Sequence, residues 1–293
     1  MKLGLDILDV TVSIVNWNTR DELRGCLKSV LSQDGSVKFE VIVVDNASSD
    51  GSAAVVSSEF AGRVTLIAND KNLGFGAAHN QAIDVSKGRY VFLLNPDCRL
   101  LEGDVLRRMV DFLDANPDVG MLGPKVVYPD GSLQYSARRF PTMFAAAFRH
   151  TILGKLFPKN RYVREYMMTD WAHDQVIDVD WLSGSALMVR RKTFERIGVL
   201  DEKFFMYCED VDWCKRAHLG GWRVVYYPMT SISHRIGAAS DQNAIAMIKQ
   251  HHKSMLRYFL KYESRSPRIL LMPLILGALW WRTRSRISQT TPR

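Results

Sequence analysis

Three polar side chains stand at or just past the carboxyl ends of apolar runs. Asn16 closes TVSIVN at 11–16, Asp45 closes EVIVVD at 40–45, and Asp97 follows YVFLL at 90–94 through Asn95-Pro96. Runs that are apolar at nearly every position fit strands buried on both faces of a parallel sheet. Such strands point the same way, so their ends share one edge, and that edge is where open α/β sheets bind ligands. Pro96 cannot donate to a ladder; it stops the run and holds Asp97 on a stiff corner. Gly74 and Gly76 in NLGFGAAHN at 72–80 would let a backbone approach a diphosphate and would open a helix whose N-terminus favours anions, although close helix packing is the other reading of the same glycines. The acids of Glu209-Asp210-Val211-Asp212 suit the first turn of a helix on electrostatic grounds alone. No GxGxxG follows the first run and no GxxxxGK[ST] occurs, which disfavours dinucleotide oxidoreductases and P-loop kinases.

The elements that must position these groups alternate. Residues 20–32 have helical period through Leu23, Leu27, Val30 and Leu31, and NASSDGS at 46–52 is a cluster of turn and N-cap residues that starts a second helix. A third strand is expected at 64–68, a helix at 73–86 and a fourth strand at 90–95. This order argues for right-handed βαβ crossovers in an α/β domain, with helices on both faces of the sheet. Beyond residue 100 the alternation loosens: a helix at 103–116 with Val105, Met109, Phe112 and Leu113 inward, then a strand at 119–128. Residues 129–178 have no clean period and many aromatic and basic side chains, the pattern of a lid or binding loop. A strand at 179–191, a helix from near Glu209 and a short strand at 222–228 follow. From 241 the character changes, with Ile245, Ile248, His252, Met255, Phe259 and Tyr262 on one helical stripe beside Lys249, Lys253 and Lys261. The chain therefore divides into a domain at 1–240 and a basic, partly apolar helical tail at 241–293.

Charge follows the same division. Residues 249–293 hold ten Lys or Arg against Glu263, which leaves −1 of the total +8 to the rest. A folded basic face with a nucleic-acid motif is missing, so a nucleic-acid partner is not expected. The run ILLMPLILGALWW at 269–281 has about two-thirds of the roughly 20 residues that a spanning helix needs, and Pro273 interrupts it. It fits a segment lying on an anionic membrane surface, with Trp280 and Trp281 at headgroup level and Arg282, Arg284 and Arg286 on phosphates. The alternatives are a helix packed on the domain or a contact in a homo-oligomer. Cys26, Cys98, Cys208 and Cys214 lack both zinc spacing and the density of a disulfide scaffold. Asp6 and Asp9 interrupt the N-terminal apolar stretch, unlike a signal peptide. A cytoplasmic protein, peripheral on the inner membrane face, is expected.

Six blocks now stand in order: VSIVNWN at 12–18, VVDNASSDGS at 43–52, NLGFGAAHN at 72–80, LLNPD at 93–97, WLSGSALMVRR at 181–191 and FFMYCEDVDWCKR at 204–216. Together they resemble family 2 glycosyltransferases, and within that family the rhamnosyltransferase-type branch, over residues 10–240. The resemblance implies a GT-A fold, a Rossmann-like, mostly parallel central sheet with flanking helices, followed here by the C-terminal helical tail. It implies inverting transfer of a sugar from a nucleotide-diphosphate donor to an acceptor hydroxyl, with a divalent cation, Mg²⁺ or Mn²⁺. On the donor side it implies Asp45 at the base or ribose with Asn16 and Asp50 nearby, and Asn72 and Gly74 from the third block. Asp97 falls where the family's DXD motif places its last acid, and Asn95 replaces the first. His234 matches a position that completes the metal shell; its other reading is a loop residue bonded to backbone. Asp210 matches the catalytic base, and Glu209 beside it positions the acceptor. Asp212, able to pair with Lys215 or Arg216, is secondary. Trp181, Gly184 and Ser185 match the block bordering the acceptor, with Trp181 equally suited to plain core. Arg138 and Arg139 could meet the donor diphosphate or the pyrophosphate of a lipid-linked acceptor. The branch implies dTDP-L-rhamnose as donor, a UDP-sugar being the alternative, and a lipid-linked or polysaccharide acceptor in cell-envelope glycan synthesis. The rival is a non-catalytic nucleotide-sugar-binding or scaffold protein at the membrane, a reading that Asn95 favours.

Overall fold

Val10–Asn16 (β1), Arg20–Leu31 (α1), Phe39–Asp45 (β2), Ser52–Glu59 (α2), Thr65–Ala68 (β3), Phe75–Val85 (α3) and Tyr90–Leu94 (β4) build a parallel half-sheet in the order β3-β2-β1-β4. The computed structural model describes residues 8–149, 156–157, 160–237 and 244–264, together with 266, 273 and 277. Register runs from Val10↔Tyr90 to Ile14↔Leu94 and from Val10↔Phe39 to Asn16↔Asp45, so Asn16 and Asp45 end level at one edge. β4 is buried at every position. Tyr90, Phe92 and Leu94 enter the core on one face, while Val91 and Leu93 enter the core on the other. That period of two is why the run carries no polar residue, and each such side chain contributes on the order of 1.5–3 kcal/mol of burial. α3 is docked through Ser13 Oγ, 2.7 Å from Nδ1 of the fully buried His79, whose ring burial holds down to about 3 and hence neutral.

The second half is built differently. Cys98–Leu100 (β5), Val105–Ala115 (α4), Val119–Val127 (β6), Ala137–Arg138 (β7), Met143–Arg149 (α5), Arg161–Met167 (α6), Ile177–Asp178 (β8), Trp181–Leu182 (β9), Ala186–Arg190 (β10), Arg191–Ile197 (α7), Glu209–Leu219 (α8) and Arg223–His234 (β11) continue the sheet as β4-β10-β6-β11-β5, with β8 also on β11. β10 runs antiparallel to both β4 and β6, whereas β6 and β11 are parallel. The strand expected at 179–191 is two pieces separated at Ser183-Gly184-Ser185, and 191–197 is a helix the periodicity did not announce. The strand expected at 222–228 continues to His234, because a register shift between Tyr227 and Ser231 carries it past Pro228. His234 is therefore a strand end, not a loop residue. The aperiodic 129–178 stretch contains β7, α5, α6 and β8.

Ala244–Glu263 (α9) lays Met255, Tyr258 and Phe259 into the same core as α8, and Ser254 Oγ donates to Met206 O at 2.7 Å. The expected stripe through Met255, Phe259 and Tyr262 is this packed face. The run at 269–281 lies outside the described residues apart from 273 and 277. Among the described residues, no helix is long and apolar enough to cross a membrane.

Candidate active site

The carboxyl ends of β1 and β4, the amino end of α3, the 183–185 turn, the end of β11 and the first turn of α8 surround a cavity of about 420 Å³. Of the residues singled out above, Asn72, Gly74, Asn95, Asp97, Gly184, Ser185, Glu209, Asp210 and His234 line it. Gly74 is required locally: its φ is +88°, and a Cβ there would lie 2.3 Å from Phe205 O, which accepts a hydrogen bond from Phe75 N at 2.8 Å.

Glu209 and Asp210 open α8 after two consecutive residues in the left-handed region, Tyr207 at φ 68° and Cys208 at φ 67°. Such a conformation costs about 1–3 kcal/mol per non-glycine residue and persists only where surrounding structure enforces it. The twist delivers the acids to the cavity wall. Asp210 accepts from Gly184 N at 3.0 Å and from Val211 N at 2.8 Å. Glu209 is buried, and its Oε2 has no hydrogen-bond partner. Burial raises both carboxyls; Glu209 is raised further by the charge of Asp210, while the two backbone donors and Arg138 pull Asp210 back. Of the pair, Asp210 is the first to ionise and Glu209 holds its proton to higher pH.

On another wall, His234 Nε2 lies 3.2 Å from Asp97 Oδ1 and 3.3 Å from Asn95 Nδ2. Gln134 fixes the ring: its Oε1 is 2.6 Å from His234 Nδ1, and its Nε2 donates to His234 O at 3.3 Å. Nδ1 thus carries the proton, and Nε2 faces the cavity as an acceptor of the Asn95 amide. Asp97 Oδ1 is then a buried acceptor without a donor. A buried carboxylate oxygen without a donor, beside an imidazole nitrogen held only by a long amide contact, fits a hard or borderline divalent cation. Cys98 lies within the same cluster, but its Sγ donates to Ser185 O at 3.4 Å and burial pushes the thiol well up, so it does not supply a thiolate.

Asn16, Asp45 and Asp50 stand behind or outside this cavity. Asp45 is spent on Asn16 Nδ2 at 2.9 Å and Ser48 N at 3.0 Å. Asp50 accepts from Arg20 N at 2.8 Å and Ser52 N at 3.0 Å, joining the starts of α1 and α2. The residue that meets the cavity from this side is Asn46, whose amide donates to Asn72 Oδ1 and Gly74 O and accepts from Leu73 N. Sequence reasoning read Asn46 only as part of a turn cluster, and Gln134 carried no signal at all. Asp212 faces away, ion-paired with Arg216 at 2.9 Å.

Trp181 borders a second cavity, of about 280 Å³, together with Arg138, Tyr166, His251 and Met255. Its indole donates to Arg139 O at 2.8 Å. Ser183, Tyr207, Glu209 and Asp210 line both cavities, so the acid pair is the partition between them.

A mixed sheet of this order, with its cleft at the carboxyl ends of the parallel strands and acids converging there, defines a GT-A glycosyltransferase. Residues 11–212 match Glycosyl transferase family 2, and the chain belongs to that family. It is 30% identical over 264 residues to an N-acetylglucosaminyl-diphospho-decaprenol L-rhamnosyltransferase of Mycobacterium tuberculosis, covering 86% of this chain and 85% of the relative. It is 27% identical over 271 residues to rhamnosyltransferase WbbL of Escherichia coli K12, covering 88% and 96%. Among solved structures, the mannosyltransferase PcManGT of Pyrobaculum calidifontis, in complex with GDP-Man and Mn²⁺, aligns with a TM-score of 0.60 at 18% identity over 97% of this chain and 76% of that one.

Proposed function

We propose that the protein is an inverting rhamnosyltransferase that moves L-rhamnose from dTDP-L-rhamnose to a lipid-linked or polysaccharide acceptor at the inner membrane face. The observation that carries this reading is the acid pair standing between two cavities. The donor lies in the larger cavity, with Asn72, Gly74 and Asn46 along its nucleotide and diphosphate. The acceptor enters the smaller one. Its hydroxyl oxygen attacks the anomeric carbon, Asp210 takes the hydroxyl proton, and the carbon–oxygen bond to the diphosphate breaks with the electron pair on the leaving group. Glu209, protonated, orients the acceptor by donating a hydrogen bond. A divalent cation held by Asp97 and His234 would neutralise charge on the departing diphosphate. The name of the Mycobacterium relative gives a lipid-diphosphate acceptor and an L-rhamnosyl group, and the rhamnosyl group is common to both relatives.

The test is calorimetric titration with dTDP, UDP and GDP, each with and without Mn²⁺. Metal-dependent binding of dTDP in preference to the others is the expected result. Equal or tighter binding of UDP would overturn the rhamnose donor, and binding of none would overturn the transferase reading of the cleft.

A further inference from the structure

The second cavity holds a cation whose charge favours an ionised Asp210 but which forms no ion pair with it. Arg138, at the end of β7, donates from Nε to Tyr135 O at 2.9 Å, and its guanidinium carbon lies 4.9 Å from the centroid of the Trp181 ring and 6.0 Å from that of Tyr166. Its neighbour Arg139 pairs with Asp180 at 3.3 Å, but Arg138 pairs with no carboxylate among the described residues. The plane of the group is thus set by stacking and by one backbone bond, while its terminal nitrogens remain uncommitted toward the cavity. A guanidinium held in one plane with its fork unspent is the arrangement that takes a phosphate through two parallel hydrogen bonds. Trp181, Tyr166, Ala145, Ala146 and Met255 give one side of the wall an aromatic and apolar surface, while Ser183, His251 and the acid pair line the other. Aromatic faces suit a sugar ring, and the apolar residues suit a hydrocarbon chain. Burial and the charge of Asp210 raise the Glu209 carboxyl and disfavour a second negative charge here, so Asp210 is the carboxylate that shares this side of the partition with Arg138.

We infer that the second cavity is the acceptor site and that Arg138 recognises a phosphate or diphosphate ester carried by the acceptor. Arg138 thereby sets a preference for a phosphorylated acceptor over a neutral glycan end. The assignment of the cavity to the acceptor rests on Asp210 as the base; the assignment of Arg138 to an anion does not.

The experiment measures equilibrium binding of two probes to the full chain by calorimetry: an N-acetylglucosaminyl diphosphate with a short alkyl chain, and the neutral alkyl glycoside of the same sugar. The intact protein is expected to bind the diphosphate about tenfold or more tightly than the glycoside, the worth of one charge-assisted pair. Arg138→Gln brings the ratio to about twofold or less, with binding of the neutral glycoside serving as the control for folding. Arg138→Lys, which keeps the charge and loses the fork, gives an intermediate ratio. Equal binding of the two probes by the intact protein, or an undiminished ratio in Arg138→Gln, would overturn the inference. Donor hydrolysis and transfer, followed in parallel, report on the catalytic reading: their absence alongside the expected ratios would remove Asp210 as base and leave the anion site standing.

Discussion

Gln134 grips His234 at two points, the ring Nδ1 at 2.6 Å and the backbone oxygen at 3.3 Å, across 100 residues of chain. The grip fixes which ring nitrogen faces Asp97. Replacing Gln134 with Leu removes the partner without touching the cavity wall, and outer partners of this kind are typically worth about 10–100-fold in metal affinity. Mn²⁺-dependent dTDP binding should fall by about that factor, with metal-free binding unchanged. Unaltered Mn²⁺ dependence would show that the imidazole does not hold the cation.

Asp210→Asn keeps the shape of the partition and removes the proton acceptor. Turnover should fall by about 10²–10⁴-fold, with donor binding retained. The raised pKa sets the pH profile of the intact enzyme. A base works only when deprotonated, so the acid limb of kcat/KM should lie above the ordinary carboxylate range. A limb at or below that range would exclude Asp210 as the titrating group.

Glu209 affects stability in the opposite sense from a paired carboxylate. Its folded pKa is raised above the unfolded value, so the folded state binds the extra proton between the two, and stability declines as pH rises through that window. Glu209→Gln removes the titration. The variant should melt higher than the parent at pH 7–8, by about 2–4 °C for each kcal/mol recovered. Below about pH 4, where the carboxyl is protonated in both states, the gain should vanish.

Gly74→Ala tests the wall of the larger cavity. At φ +88° with Phe205 O at 2.3 Å from the new Cβ, the backbone must shift, and the Phe75–Phe205 hydrogen bond is the first casualty. A loss of about 1–3 kcal/mol in chemical denaturation is expected, together with weaker dTDP binding.

These residues also mark where the sequence was legible. β1, β2 and β4 announce themselves because burial on both faces leaves few places for polar residues, Thr11 and Ser13 being hydrogen-bonded to Glu40 and His79, and the parallel half-sheet follows from their alternation with helices. The antiparallel insertion of β10 between β4 and β6 is a long-range pairing, Met188↔Leu122 and Leu187↔Leu93, which no local pattern encodes. Family blocks led to Asp97, Glu209, Asp210 and His234. Gln134 escaped because its role is a contact between distant segments, and the bend at Tyr207-Cys208 because two non-glycine residues gave no hint of positive φ. The resemblance set Asp50 near the donor, while its carboxylate accepts from Arg20 N and Ser52 N at the starts of α1 and α2.

The last prediction concerns α9. Asp212 is fully buried one turn into α8, and three donors converge on it: Tyr262 Oη at 2.7 Å and Lys261 Nζ at 2.6 Å on Oδ1, and Arg216 Nε at 2.9 Å on Oδ2. Two of the three come from α9, so this carboxylate ties α9 to the helix whose first turn carries the acid pair. Tyr262→Phe leaves Oδ1 with the lysine and should cost only about 1 kcal/mol. Asp212→Ala removes the hub. Its cost falls toward the lower end of the roughly 3–5 kcal/mol expected for breaking a buried pair, because Arg216 and Lys261 are partly exposed and can rehydrate. α9 also supplies Met247 to the donor cavity and His251 and Met255 to the second cavity. Loosening it should therefore raise the acceptor KM of Tyr262→Phe by a larger factor than the donor KM, since two of its three cavity residues face the second cavity. A double-mutant cycle between Tyr262→Phe and Asp212→Asn, read in both denaturation and acceptor KM, isolates the tie. Additive effects would mean that Tyr262 and Asp212 do not act as one tie.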